Sequence, residues 1–323
     1  MGNVNIHVNS QKASLFDIYN MTAASFKRTV KRNWQLYVLL LPSLVYIIMF
    51  CYAPMYGVLL AFKNFNPRAG IWGSEWAGLK YFRQFFGTSI FATTLKNTVV
   101  LSVMSLLCSF PAPIIFALLL HQVRNSKVRR FIQTITYAPN FISVVVLVSM
   151  IILFLAPSSG FLSNLLSAFT GKDSLYLVRP EYFRPIYIIS GIWQSMGFSA
   201  IVYLAALTAV NPELHEAASM DGAGILLRIW HIDIPGILPT IIIMLILAVG
   251  NILSVGYEKV FLLQNGMNLS VSEVISTYVF KTGVKNAQYG FATAVGLFNS
   301  VVNLVLLVAS NYVAKTVTQT SLF

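Results

Sequence analysis

Charge-free apolar stretches alternate with polar ones along the whole chain. Six long stretches contain no Asp, Glu, Lys or Arg: 33–62, 97–123, 131–171, 185–212, 234–257 and 286–314. A helix of about 20 apolar residues spans the hydrocarbon core of a bilayer. Lipid offers no partner for open backbone groups, so a crossing segment must be helical. The run 131–171 is interrupted by Pro157, Ser158, Ser159 and Gly160, and the "SNLLSAFTG" beyond them is too polar and short to span. Six crossings are therefore expected. Pro42, Pro54, Pro111, Pro113 and Pro139 fall within these runs and are compatible with helix, because neighbouring helices satisfy the groups they free. The expected fold class is all-α, a polytopic membrane protein with six transmembrane helices. It comprises an N-terminal segment 1–32, a membrane domain 33–314 and a tail 315–323.

The polar stretches carry their own patterns. In the leader, Leu15, Ile18, Tyr19, Thr22, Phe26 and Val30 recur at helical spacing with bases following, which suits a helix on the membrane surface. No cleavable signal peptide is expected. The loop 63–95 contains "EWAGLKYFRQFF", whose aromatic and basic residues predict an interfacial helix. The loop 259–285 contains "SEVISTYVFKTG", read as a short helix capped by Ser272. In the sixth run Ala292, Gly296 and Ser300 recur every four residues, a pattern for close helix packing.

Charge sets the orientation. Only 10% of the 323 residues are charged and the formal net charge is +12. Nucleic acid is not implied, because the bases flank apolar runs. Lys27, Arg28, Lys31 and Arg32 precede the first, and Arg124, Lys127, Arg129 and Arg130 fill the second loop. Over all loops the bases divide almost evenly, so orientation rests on these dense clusters. The positive-inside rule puts them, and both termini, in the cytoplasm.

Several chemistries are missing. The only Gly-Lys pair, Gly171–Lys172, is followed by Asp173 and has Leu166 where a phosphate-loop glycine belongs. His7, His121, His215 and His231 are scattered along the chain, and no metal cluster or Ser/His/Asp set is apparent. Cys51 and Cys108 read as small packing residues. No enzyme active site and no cofactor are expected. The ten acids lie outside the runs or at their edges, which argues against a proton-coupled carrier.

One cytoplasmic stretch, "NPELHEAASMDGAGILLRIWHIDIP", is polar between two apolar runs. Asn211 is a good N-cap and Pro212 suits the first helical position. Glu213 and Glu216 favour the helix N-terminus, and Gly222 is placed to end the helix in a left-handed conformation. A helix over 212–221 is predicted, then a second over 225–232. Ala217 and Ala218 give the first a small-sided patch. Physics alone leaves a docking surface and an ordinary loop equally open.

The pattern Glu216, Ala217, Ala218, Gly222, Ile232, Ile234, Pro235 resembles the signature loop of permease subunits of ATP-binding cassette (ABC) importers. Its one departure is Ile234 in place of the usual leucine. "YLAALTAVNPELHEAASMDGAG" is similar to the carbohydrate-importer branch. "RNSKVRRFIQTITYAPNFIS", "PEYFR", "HIDIPGILPTIIIMLILAVGNILSVGYEKVFLL" and "QYGFATAVGLFNS" resemble the sub-branch serving complex, often acidic, oligosaccharides such as alginate. The resemblance implies a type I importer permease fold in the bacterial cytoplasmic membrane. It makes the short helix the coupling element, with Glu213, Glu216, Ala217, Ala218, Asp221 and Gly222 meeting a partner ATPase that carries ATP and Mg. It further implies a second permease subunit in a heterodimer, two ATPase subunits and an extracytoplasmic solute-binding protein. Trp193, Gln194, Ser195 and Phe198 of the fourth span, and Asn251, Ser254 and Tyr257 of the fifth, then line the substrate path. Competing readings are a stand-alone carrier or channel, which needs no such loop, and a scaffold, which needs no polar path.

Overall fold

The computed structural model describes residues 32–157, 159–170 and 175–318. The expected leader helix, and the end of the tail, lie outside them. The chain divides into two units between Val58 and Leu59. In the first, Trp34–Ile47 is helical through Pro42, Ile48–Tyr52 forms a π turn and Ala53–Met55 resumes the helix. Pro54 has no N–H to offer the preceding turn, which accounts for the wider turn before it. None of these residues is buried. An apolar surface of this extent fits lipid or another membrane subunit.

Among the described residues, five helices are long and apolar enough to cross a membrane, and a sixth crossing results if one bent pair counts as one. They are Trp34–Phe62, Ser89–His121, the pair Ser126–Phe141 and Val144–Phe154, Pro180–Thr208, Ile225–Gly250 and Tyr289–Thr316, called here the first to sixth spans. Each charge-free run maps onto one of them.

The third departs from a simple crossing: its halves meet at 98°. Pro139 sits in a 3-10 turn, Ala138–Phe141, and Ser143 caps the next helix by accepting from the Val146 N–H at 3.3 Å. The break expected at Pro157 is present as well, since the helix ends at Phe154. The bend was legible only in Pro139 and Ser143.

The fifth span also differs. The predicted short helix 225–232 is no separate element. Ile225–Arg228 continues through a π turn, Ile229–Asp233, into Ile234–Gly250, so the span begins nine residues early. It ends at Gly250, and residues 251–256 form a break before the short helix Tyr257–Leu263. Asn251 and Ser254 therefore lie in a loop and Tyr257 beyond it, not within the span.

Two outer-loop expectations are corrected. Ser272 ends the turn Leu269–Ser272, and the helix Ile275–Phe280 starts after Val274, whose N–H donates to the Thr277 hydroxyl at 3.1 Å. The interfacial helix exists as Lys80–Phe86, but Phe85 is buried among Phe91, Phe291 and Phe298, which docks it on the protein. Lys63–Asn64 and Glu75–Trp76 pair as a two-residue antiparallel ribbon beside it.

The predicted small-residue stripe is close-packed at one position and open at another. A Cβ at Gly283 would lie 2.7 Å from the buried Ala292 Cβ, whereas a Cβ at Gly296 would meet nothing within 4 Å among the described residues. A further tight approach is at Gly197, where a Cβ would lie 2.2 Å from the Thr136 carbonyl oxygen. That contact fixes the first half of the bent third element on the fourth span. Cys51 and Cys108 are exposed rather than packing residues.

Candidate functional site

The loop after the fourth span folds as its composition dictates. Pro212–Met220 is a helix. The Asn211 side chain accepts from the Glu213 N–H at 3.0 Å. Gly222 has φ +79°. The Gly222 N–H donates to the Ser219 carbonyl at 3.1 Å, and the Ala223 N–H to the Ala218 carbonyl at 2.8 Å. These two bonds are the pair that closes a helix through a left-handed glycine. Glu213, Glu216, Ala217, Asp221 and Gly222 are exposed, and Ala218 is half-buried. Leu214, Met220 and Leu226 are also exposed, with Met220 at 89% and Leu226 at 81%. Those apolar tips around the small-sided patch had no signal beyond their place in a polar loop.

Beneath this helix the fold gathers groups that are far apart in sequence. His121 from the end of the second span, His215 from the short helix and Asp233 from the fifth-span π turn place their ligand atoms within 4.8 Å of one another. The histidines are therefore not all scattered, as expected from the chain order. His231 stays apart, with Nδ1 3.0 Å from the Leu227 carbonyl oxygen, and His7 lies outside the described residues.

A polar cleft of about 360 Å³ opens among the second span, the fourth span and the break after the fifth. Gln194, Ser195, Asn251 and Ser254 line it. Gln194 donates to the Ile142 carbonyl at 2.9 Å, tying the fourth span to the bend of the third. Asn303 of the sixth span donates to the Ser254 hydroxyl at 2.9 Å and accepts from the Leu253 N–H at 3.1 Å, which holds the break in shape. Trp193 is on another side of its helix. It lines a larger cavity of about 790 Å³ walled by side chains such as Leu147, Phe154 and Ile189. Phe198 packs edge-on against Phe141, and Tyr257 stacks on Phe280 with ring centres 5.2 Å apart. The structure thus brings together four of the seven expected path residues, and not Trp193, Phe198 or Tyr257. The larger cavity is nearly all apolar, whereas the smaller one offers donors and acceptors for a polar solute.

Three cleft groups escaped the sequence reading. Ser102 and Ser105 of the second span have buried hydroxyls without a hydrogen-bond partner among the described residues. Their spacing, continued by Ser109, was a signal. Lys259 was the first base beyond the fifth run. Its Nζ donates to the Tyr187 carbonyl at 2.9 Å and lies 4.8 Å from the centre of the Tyr187 ring. Among the described residues no carboxylate pairs with it. Burial lowers the ammonium from its ordinary value of 10.5 to about 8. Gly191 makes room for it: a Cβ there would stand 3.3 Å from Nζ. An ammonium has three donors, and one is used here.

Comparison with known proteins places the chain among transport proteins. Residues 109–319 match the family model described as binding-protein-dependent transport system inner membrane component. Protein LplB of Bacillus subtilis (strain 168) is 44% identical over 299 residues, covering 93% of this chain and 94% of that protein. The polygalacturonan/rhamnogalacturonan transport system permease protein YteP of the same organism is 44% identical over 280 residues, covering 87% of each. Among solved structures, a chain of a bacterial alginate ABC transporter, in complex with a periplasmic protein bound to an alginate pentasaccharide, superposes with a TM-score of 0.83. It is 40% identical, and the match covers 91% of this chain and 99% of that one.

Proposed function

The chain belongs to the family of binding-protein-dependent transport system inner membrane components, and from that membership we propose which cargo it carries and how it is driven. It is the permease subunit of a bacterial inner-membrane ABC importer for carbohydrate. The cargo is an acidic oligosaccharide of the uronate type. The observation that carries this reading is the buried Lys259 ammonium on the wall of the polar cleft, with donors to spare and no carboxylate paired with it among the described residues. A uronate carboxylate answers such a charge, and the serine hydroxyls, Gln194 and Asn251 suit sugar hydroxyls. The alginate transporter and the polygalacturonan/rhamnogalacturonan permease, both similar to this chain, handle acidic sugars by their names.

The drive comes from outside the chain. The Pro212–Met220 helix seats in a cleft of a cytoplasmic ATPase subunit, with Glu216 toward a base of that cleft and Met220 and Leu226 against its apolar surface. ATP hydrolysis takes place in the two ATPase subunits, and a second permease subunit and a solute-binding protein complete the importer. Family membership removes the stand-alone carrier and the scaffold from contention.

The test is ATPase activity of the reconstituted complex with its binding protein. Uronate oligomers are expected to stimulate hydrolysis and to enter proteoliposomes. Stimulation by neutral glucans alone would overturn the acidic cargo.

A further inference from the structure

His121, His215 and Asp233 come from three separate segments, the second span, the short cytoplasmic helix and the fifth span. Asp233 is fully buried. Gln122 donates to its Oδ2 at 3.1 Å, which leaves Oδ1 facing the imidazoles. His215 Nε2 stands 3.1 Å from Oδ1. Yet the two atoms are misaligned for a hydrogen bond, and neither has another partner among the described residues. Leaving such groups unbonded is costly, by about 1–3 kcal/mol each. His121 faces the same point, with its ring centre 6.3 Å from that of His215.

Two ligands on one tetrahedral zinc, with bonds of about 2.0–2.1 Å, sit about 3.3 Å apart. The pair from His215 and Asp233 is close to that separation, and rotation of the His121 ring brings in a third donor. Two imidazole nitrogens and one carboxylate oxygen suit zinc and its neighbours among transition metals, and do not suit magnesium or calcium, which take oxygen. The Gln122 amide orients the carboxylate, as outer partners of metal ligands do. The Arg129 guanidinium acts on His121 from nearby and opposes a cation, while the Asp233 charge offsets it.

We propose that His121, His215 and Asp233 form a binding site for a divalent transition metal, zinc above all, which fastens the short cytoplasmic helix to the second and fifth spans. An ion held there ties three elements at one point, so the helix can no longer shift against the spans. Bound metal therefore arrests transport rather than supporting it. Binding itself does not depend on the cargo or on the ATPase.

The test uses the full chain in its assembled complex, purified without a histidine tag. Zinc is titrated in competition with a chromophoric chelator, with magnesium in excess. One zinc per chain is expected at micromolar or lower free metal. His121→Gln and His215→Gln, each shown to assemble, should bind at least about tenfold more weakly, the lower bound set by losing even an outer partner of a ligand. Wild-type affinity in either variant, or no binding by the wild type at micromolar zinc, overturns the site. The arrest is read separately, as the ratio of substrate-stimulated ATPase with and without zinc for each protein against its own baseline. Zinc should lower that ratio in the wild type and leave it near one in both variants. Equal inhibition of all three would overturn the fastening role. Because the titration contains no sugar, its failure is distinct from failure of the acidic cargo.

Discussion

The fifth span has a buried charge near each end, and the two are treated differently. At its start the Asp233 carboxylate is enclosed by Gln122, His121 and His215, groups contributed by other segments. Beyond its far end the Lys259 ammonium is 8% exposed and has a carbonyl and an aromatic face for company. Burying an ion is costly unless something answers it. Where the protein supplies the answering groups, the charge joins three segments of the chain. Where it supplies one hydrogen bond and an open cleft, the charge is left for the external partner proposed above. One helix thus separates an internal joint from the proposed cargo site.

The largest effects should come from exchanging these charges for neutral groups. Lys259→Met removes one charge-assisted bond to a uronate, worth about 2 kcal/mol, or on the order of 30-fold in cargo uptake. Thermal stability in detergent should hold or rise, since a desolvated charge is lost. Asp233→Ala should do the reverse and lower the melting temperature, because the Gln122 amide loses its acceptor and the imidazoles lose the neighbouring carboxylate. If Lys259→Met transports uronates normally but melts early, the ammonium is structural and the contrast collapses.

A second, smaller effect tests the same ammonium by pH. Its value, lowered to about 8, means that it is charged below that pH and neutral above it. Uronate affinity of the complete importer should therefore fall as pH rises through about 8. In Lys259→Arg the guanidinium stays charged, so affinity should persist across that range. A fall of the same size in both proteins would place the titrating group elsewhere.

The two ends also differ in how far the sequence disclosed them. The Pro212–Met220 helix could be read residue by residue, because capping is local: Asn211, Pro212 and Gly222 each act within a few positions. Five crossings were legible for a similar reason, since lipid demands unbroken apolar length, while the bend in the third element was not. The cleft was half legible. Gln194 and Asn251 were found as polar residues in apolar runs, but helix rotation decided that Trp193 faces elsewhere. Lys259 and Asp233 were hidden, because their hydrogen-bond partners lie 72 and 111 positions away. In hindsight His121, His215 and Asp233 all sit where a charge-free run meets the same side of the membrane.

At the joint, a gentler change is informative. Gly222 has φ +79°, and a Cβ there would touch nothing within 4 Å. Gly222→Ala therefore acts through backbone conformation alone, at a cost of about 1–2 kcal/mol. Substrate-stimulated ATPase should fall several-fold while membrane insertion is intact, and Gly222→Asn should keep more activity because Asn tolerates this conformation. Glu216→Ala should weaken ATPase association without altering the helix. Full coupling in both Gly222→Ala and Glu216→Ala would show that the drive enters elsewhere.

The smallest effect is expected at Trp193, and it decides which side of the fourth span the cargo follows. Successive residues on a helix are rotated by about 100°, so Trp193 and its neighbour Gln194 cannot both face the cleft. Gln194 lines it and bonds to the Ile142 carbonyl, whereas Trp193 borders the apolar cavity and is half exposed. An indole there has lipid or another subunit to meet, not a charged sugar. Trp193→Ala should leave uronate uptake within about twofold of wild type, a change of under 0.5 kcal/mol. Asn251→Ala, which removes a side chain from the cleft wall, should lower uptake several-fold under the same conditions. Initial rates in proteoliposomes, normalised to assembled complex, measure both. If Trp193→Ala is the more damaged of the two, the path runs along the apolar side, and Lys259 with its cleft stands beside it rather than on it.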